Sequence, residues 1–248
     1  LFARSPLNDY IVFSDDESKF WLYNVINGQV EPILHKDSIL SLGNGHTNFI
    51  IDHKGELWIT TVTGFYKYDF AHKKLIHINK IIPGFNFSII SISHGVEDEL
   101  WLGSHRSGIV ILDTKTLKFK NIQKKSGLAS NTVASITKDL NQLYWVATYN
   151  GISVLDAKGN ILDNLNEEDN LIHKEANCHA ATLFDNGQIA IGTINGISLI
   201  DPDIFLSNYN KEDDFKIFFT KIKYHKNKSD SLSTIRNGFN TLDHITLS

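Results

Sequence analysis

Methionine is absent from all 248 residues, and cysteine occurs once, as Cys178. A lone cysteine excludes an internal disulfide and any cysteine-rich zinc site, while leaving the redox compartment open. There is no basic excess either. The net charge is −4 and the lysines are scattered, so the phosphate-neutralising surface that nucleic-acid binding draws on is missing. No window approaches the roughly eighteen consecutive apolar residues of a membrane span. The opening LFARSPLND has neither the basic nor the apolar region of a signal peptide, so a leader or an anchor would lie outside this stretch. What the chain has in quantity is apolar side chains, 42 % of the total. That is enough to bury a substantial core at this length, which excludes disorder.

The apolar residues are organised by repetition. QLYWVATYNGISVLD, residues 142–156, holds an apolar strand with Trp145 and Thr148, a tight turn ending at Gly151, and a second apolar strand closed by Asp156. GELWITTVTGFYKYD sets Trp58, Gly64 and Asp69 at the same places, and DELWLGSHRSGIVILD sets Trp101, Gly108 and Asp113 there. GQIAIGTINGISLID has Ala190, Gly196 and Asp201, and a weaker first copy, SKFWLYN, closes on Asn24 with Lys19 at the glycine position. The closing residues step by 45, 44, 43 and 45. A period in the low forties built of short strands is the signature of β-propeller blades.

The expectation is therefore an all-β fold: a β-propeller of four-stranded blades over residues 1–205, with repeats at about 1–37, 38–81, 82–125, 126–170 and 171–205. Five repeats fit part of a larger ring, or a closed five-bladed one. The second strand of each copy is apolar on consecutive positions, which marks a strand covered on both faces, as neighbouring blades would cover it. Fourth strands are expected at VEPIL (30–34), KLIHI (74–78), LKFKNI (117–122) and a short NIL (160–162), with none clear in the fifth copy. Gly64, Gly108, Gly151 and Gly196 fit hairpin positions needing positive φ or close backbone approach. Residues 206–214, continuing the DPDIFLSN run, read as a linker. From 215 to 248, FKIFFTKIKY and LDHITLS read as strands of a second domain, too few for a sandwich of about seven.

GLASNTVASITKDLNQLYWVATYNGISVLD resembles the two-component regulator propeller repeat at Asn131, Val133, Ile136, Asp139, Trp145, Thr148, Gly151 and Asp156. FKIFFTKIKYHKNK followed by LDHITLS is similar to the opening of the triple-tyrosine, immunoglobulin-like domain that follows such propellers. The resemblance implies a non-catalytic sensor: the periplasmic part of a membrane-bound hybrid histidine kinase that recognises oligosaccharides. Kinase and DNA-binding parts would lie C-terminal to it, contact with the membrane would come only through other regions, and the intact sensor would be open to homodimerisation. No cofactor or metal is implied. The chain departs from the family in having Phe65, Ile109, Ile152 or Ile197 after the turn glycine where leucine is usual, and Ala190 for tryptophan in the fifth copy.

The eleven histidines form no H-x-H or H-E-x-x-H pattern, and Cys178-His179 has no cysteine partner, so a metal site is not expected. The closing aspartates occupy equivalent places in successive copies and are expected to fix turns by accepting backbone N–H bonds, rather than to pair across a substrate as in a glycosidase. Trp58, Trp101 and Trp145, flanked by aliphatics, are expected in the core between blades. The turns between second and third strands, Val62-Thr63, His105-Arg106-Ser107, Tyr149-Asn150 and Ile194-Asn195, should emerge on one face. Thr63, His105, Arg106, Tyr149, Asn150 and Asn195 there offer hydroxyl, guanidinium, amide and aromatic groups suited to sugar hydroxyls and rings. Arg106 would also suit a sulfate or uronate carboxylate. A propeller enzyme such as a streptogramin-type lyase or glycosidase, and a scaffold binding only protein, are the competing readings.

Overall fold

The computed structural model describes residues 2–4, 9–14, 19–35, 38–39, 48–61, 63–209, 221–224 and 233–236. Five antiparallel sheets follow one another along the chain. Sheet 1 holds β1 (Phe2–Arg4), β2 (Tyr10–Ser14), β3 (Phe20–Asn24) and β4 (Val30–Pro32); a two-residue pair, β5 (Leu34–His35) and β6 (Ser38–Ile39), follows. Sheet 2 holds β7 (Asn48–Ile51), β8 (Leu57–Thr61), β9 (Gly64–Asp69) and β10 (Lys74–His77). Sheet 3 holds β11 (Ile89–His94), β12 (Glu99–Ser104), β13 (Ile109–Asp113) and β14 (Phe119–Ile122). Sheet 4 holds β15 (Val133–Lys138), β16 (Tyr144–Thr148), β17 (Gly151–Leu155) and β18 (Ile161–Leu165). Sheet 5 has three strands, β19 (Ala176–Leu183), β20 (Ile189–Thr193) and β21 (Gly196–Ile200). Each sheet is a meander whose strands pair in sequence order, and the first strands of successive sheets lie beside one another.

The strand bounds follow the sequence pattern to within a few residues, with two differences. The fourth strand of sheet 4 runs to Leu165, longer than NIL suggests, because Asn164 is anchored by its own side-chain bonds to Ser153 and Gly127. At KLIHI the strand stops at His77, and α1 (Ile78–Ile81) turns away with Ile78 buried in the core.

Coverage on both faces appears where the unbroken apolar runs predict it. Every residue of β8 and β16 is buried. In β20 only alternate residues are, with Ala190 and Gly192 half-buried among the described residues. The core is a series of layers between sheets. Val12, Phe20 and Leu22 meet Phe49, Ile59 and Tyr68 between sheets 1 and 2. Trp58 and Phe65 meet Ile92, Leu100 and Val110 between sheets 2 and 3. Trp101 and Ile109 meet Val133, Tyr144 and Val146 between sheets 3 and 4. The Trp101 ring stacks on Tyr144 at 3.7 Å between centroids and 6° between planes, and burial pushes the Tyr144 phenol up to about 12.

Two side-chain devices recur from sheet to sheet. An aspartate six residues before the tryptophan accepts the indole N–H: Trp58 Nε1 donates to Asp52 Oδ2 at 2.9 Å and Trp145 Nε1 to Asp139 Oδ2 at 2.8 Å. The other carboxylate oxygen ties the turn, accepting Lys54 N and Glu56 N in the first case and Leu143 N in the second. In sheet 3 this position is Gly95, and the buried Trp101 indole N–H has no acceptor among the described residues.

The second device is the closing acid, which behaves as a turn-former. Asp69 Oδ1 accepts Ala71 N and His72 N, and Asp113 Oδ1 accepts Lys115 N and Thr116 N. Asp156 Oδ1 accepts Lys158 N and Asn160 N, and Asn24 Oδ1 does the same for Ile26 N and Asn27 N. The His72 ring and N–H hold the Asp69 carboxyl below the ordinary range, and the Thr116 N–H, joined by that of Lys115, does so for Asp113 against an opposing burial effect. For Asp156 burial pushes upward, and the Asn160 and Lys158 donors outweigh it.

A carboxyl whose pKa falls on folding contributes stability above its unfolded value, near about 3.9, which is lost as the pH drops through that value and then through the folded one. The urea midpoint is therefore expected to hold steady down to about pH 5 and fall below about pH 4.5. In the triple variant Asp69→Asn, Asp113→Asn, Asp156→Asn the acid slope should shrink. An unchanged slope would remove these turns from the account.

Asp201 uses the same geometry to start a helix. Its Oδ1 accepts Asp203 N and Ile204 N, and α2 (Pro202–Tyr209) begins at the next residue. The expected linker is thus helical over its first residues. Aspartate at the cap and proline at the first helical position, where no N–H is needed, explain why the run does not stay irregular. The chain divides into compact units at Leu1–Ile204 and Phe205–Ser248. In the second unit β22 (Lys221–Tyr224), at the end of the expected strand FKIFFTKIKY, pairs with β23 (Ser233–Arg236). Residues 215–220 and the expected strand 242–248 lie outside the described residues. Among the described residues no helix is long and apolar enough to cross a membrane.

Candidate functional site

The hairpins between second and third strands share one clamp. Thr61, Ser104, Thr148 and Thr193 each donate the side-chain hydroxyl to the carbonyl of the turn glycine, at 3.3, 2.8, 2.7 and 3.0 Å. Each oxygen also accepts a turn N–H, from Thr63, Ser107, Asn150 and Asn195. The four residues are almost fully buried, so those between them and the glycine are pushed outward on a fixed base.

Lateral bonds then set the turns in a row. In sheet 3 His105 N donates to Ser88 O before its own first strand, and Gly108 N donates to Asn131 O before that of sheet 4. In sheet 4 Tyr149 N donates to Thr132 O and Gly151 N to Lys174 O, before the first strand of sheet 5. Ile194 N closes the series on Glu175 O, and Thr132 Oγ1 adds a bond to His105 O. His105-Arg106, Tyr149-Asn150 and Asn195 consequently stand at the same end of three neighbouring sheets.

Their side chains are not equally available. Arg106 is exposed and makes no hydrogen bond or ion pair among the described residues. Tyr149 is 36 % exposed, and its hydroxyl lies 3.8 Å from Cys178 Sγ, a contact that, ahead of burial, raises the phenol above its ordinary value. Asn150 is exposed, with Nδ2 3.5 Å from Ala129 O. Thr63 is spent on its own turn, its hydroxyl sharing hydrogen bonds with Thr61 Oγ1 and Tyr66 OH, and among the described residues no lateral backbone bond ties its turn into the row. Val62 lies outside the described residues.

The structure adds three residues to this end. The register of β19 against β20 shifts between Ala176 and Ala181, so Asn177, Cys178, His179 and Ala180 bulge out of the ladder. His179 takes a left-handed φ of 59°, a conformation that costs a non-glycine residue on the order of 1–3 kcal/mol and concentrates at functional sites. Its Nδ1 lies 3.3 Å from Asn48 Nδ2, at the start of the first strand of sheet 2. Asn48, Cys178 and His179 thus join Tyr149 through contacts spanning sheets 2, 4 and 5.

Sequence reasoning missed them because CHAATLF, residues 178–184, reads as an ordinary strand. The signal available was the last repeat step, 45 against 43 before it, which announces extra residues in the fifth copy. Beside His179 a trough of about 370 Å³ runs over Ala180, Ala181, Ala190 and Gly192 to Phe184 and Ile197. Ala190, standing where other copies have tryptophan, leaves it unfilled. Among the described residues no group of three or more His, Cys, Asp and Glu side chains is placed to hold a metal ion.

No protein-family description matches the chain, and no curated protein matches it. Solved structures do. The extracellular domain of the hybrid two-component system BT3049 from B. thetaiotaomicron superposes with a TM-score of 0.69 at 22 % identity, covering 84 % of this chain and 28 % of that one. The corresponding domain of BT4673 from the same organism gives 0.64 at 16 % identity, covering 96 % and 30 %. The chain therefore spans under a third of the length of these solved chains. At such identities the likeness establishes the fold alone: an all-β succession of sheets of the kind found in extracellular domains of Bacteroides two-component systems.

Proposed function

We propose that the chain is a non-catalytic, periplasmic sensor segment of a hybrid two-component histidine kinase, and that it recognises oligosaccharides at the row of hairpin turns described above. The observation that carries this reading is the pinning of exposed Arg106, Tyr149 and Asn150 on rigid, laterally bonded turns, next to a strained bulge at His179. Rigid sheets with variable polar turns supply positioned hydroxyl partners without paying the ordering cost of a flexible loop. Tyr149 offers a ring face to a sugar, Asn150 offers both donor and acceptor, and Arg106 offers a forked donor to a carboxylate or sulfate. Binding would signal only by favouring one arrangement of this segment over another, since equal affinity for two states shifts nothing.

The test is a thermal-shift screen of the chain against defined neutral, uronate-containing and sulfated oligosaccharides, followed by calorimetric titration. Arg106→Ala should weaken an acidic oligosaccharide about tenfold and leave a neutral one nearly unchanged. Tyr149→Ala should weaken both. A ligand whose affinity ignores both substitutions would move the site elsewhere.

A further inference from the structure

The end of the sheets that carries the row of turns changes sign from one sheet to the next. After its fourth strand, each of sheets 2, 3 and 4 makes one short helical turn beside its hairpin. In sheet 2 this is α1, whose Asn79 Oδ1 accepts Phe65 N next to the turn glycine. In sheet 3 it is the 3₁₀ turn Lys124–Ser126, where Lys124 N donates to Asn131 Oδ1 and the carbonyl of that same asparagine accepts Gly108 N. In sheet 4 it is the 3₁₀ turn Glu167–Asp169, where Glu167 Oε1 accepts Lys174 N and Lys174 O accepts Gly151 N. The places are equivalent: Lys80, Lys124 and Glu167 each stand 16 residues after Gly64, Gly108 and Gly151. Their chemistry is opposite. In sheet 3 Lys124 and Lys125 are exposed beside Arg106, none of the three forms an ion pair among the described residues, and neither 104–108 nor 122–132 contains an acid. In sheet 4 the same turn is Glu167-Glu168-Asp169, all exposed, next to the uncharged pair Tyr149-Asn150. Against those acids stand only exposed Lys174 and half-buried His173, whose Nε2 is 3.9 Å from Glu167 Oε1.

We propose that the oligosaccharide taken by this row is charged at one end only, an inference that rests on the reading given under Proposed function. An anionic unit, uronate or sulfate ester, lies over sheet 3 against Arg106, Lys124 and Lys125. An uncharged unit lies over sheet 4 on Tyr149 and Asn150. Glu167, Glu168 and Asp169 turn away a second acidic unit there, so the face selects by repulsion as well as by attraction. Screening limits the reach of exposed charges to about 8 Å at physiological salt, so each sign acts on the sugar above its own sheet rather than on the ligand as a whole. The arrangement fixes direction too: reversing the ligand would set its anion over three carboxylates and leave the guanidinium and both ammonium groups facing neutral hydroxyls.

The experiment is calorimetric titration of the full chain with three classes of short oligosaccharide: uncharged, carrying a single uronate or a single sulfate on one terminal unit, and acidic on every unit. The singly charged class is expected to bind most tightly, and its uronate and sulfate arms tell which anion the basic end prefers. The double variant Lys124→Gln, Lys125→Gln, at exposed positions that do not threaten folding, should weaken that class about tenfold and leave the uncharged class as it was. The double variant Glu167→Gln, Glu168→Gln should do the reverse job, strengthening the fully acidic class about fivefold with little effect on the others. Raising the salt from about 0.05 M to about 0.5 M should erase most of the advantage of the singly charged class. Fully acidic oligosaccharides that match the singly charged ones, or a ligand indifferent to both double variants, overturn the proposal. If Tyr149→Ala still weakens that ligand, the site itself stands and only the division of charge falls; if Tyr149→Ala changes nothing, or no class binds, both readings fall together.

Discussion

Trp145→Ala is expected to lower the stability of the chain by about 3–5 kcal/mol, because the indole is fully buried and its deletion removes both transfer free energy and packing contacts. The milder Trp145→Phe isolates a second contribution. It leaves Asp139, which is only 3 % exposed, without the N–H now donated to Oδ2, and an unsatisfied buried group costs about 1–3 kcal/mol beyond the packing change. Trp101→Phe makes the contrast. That indole has nothing to donate to among the described residues, because Gly95 stands where the aspartate would be, so only ring volume is lost, about 1 kcal/mol. Urea unfolding of both variants reads the difference directly. Equal losses at the two positions would show that the indole–carboxylate bond contributes nothing.

Gly108→Ala should cost about 2–4 kcal/mol, from two sources. The φ of 75° lies in the left-handed region that side chains avoid, and the added Cβ would run into Ile122 O at 2.0 Å. That oxygen belongs to the backbone at the end of β14 and cannot rotate away, so the fourth strand must shift. Gly84→Ala is the control for backbone strain alone: its φ is 76°, and no atom lies within 4 Å of the added Cβ. A loss of about 1 kcal/mol is expected there. If the two variants unfold at the same urea concentration, the close approach of strand and turn is not what holds glycine at this position.

Much of this was legible in the residues. The spacing of Trp58, Trp101 and Trp145 gave the repeat, the unbroken apolar runs gave strands covered twice, and the acids at 69, 113 and 156 gave turns. These are local properties, set by side-chain period and by hydrogen bonds that span two to six residues. The turn residues at the candidate face were legible for the same reason, since equivalent turns of a repeat emerge at equivalent ends.

The bulge at Cys178-His179 showed only as a longer last repeat step, without its place, because a strand that buckles has the same composition as one that does not. Nor was the engagement of the Thr63 hydroxyl legible, since it depends on Tyr66 across its own hairpin. The helix at Pro202 was hidden behind residues that serve a turn and a helix start equally well.

By itself the sequence determined the period, the strand content and the chemistry carried on each turn, because those follow from which residue stands where in a copy. Only the tertiary structure decided which polar groups meet across sheets 2, 4 and 5. That outcome depends on distances between residues far apart in the chain, as between Asn48 and His179, more than a hundred positions from each other. Nothing local to either residue encodes such a distance; the stacking of the sheets between them creates it.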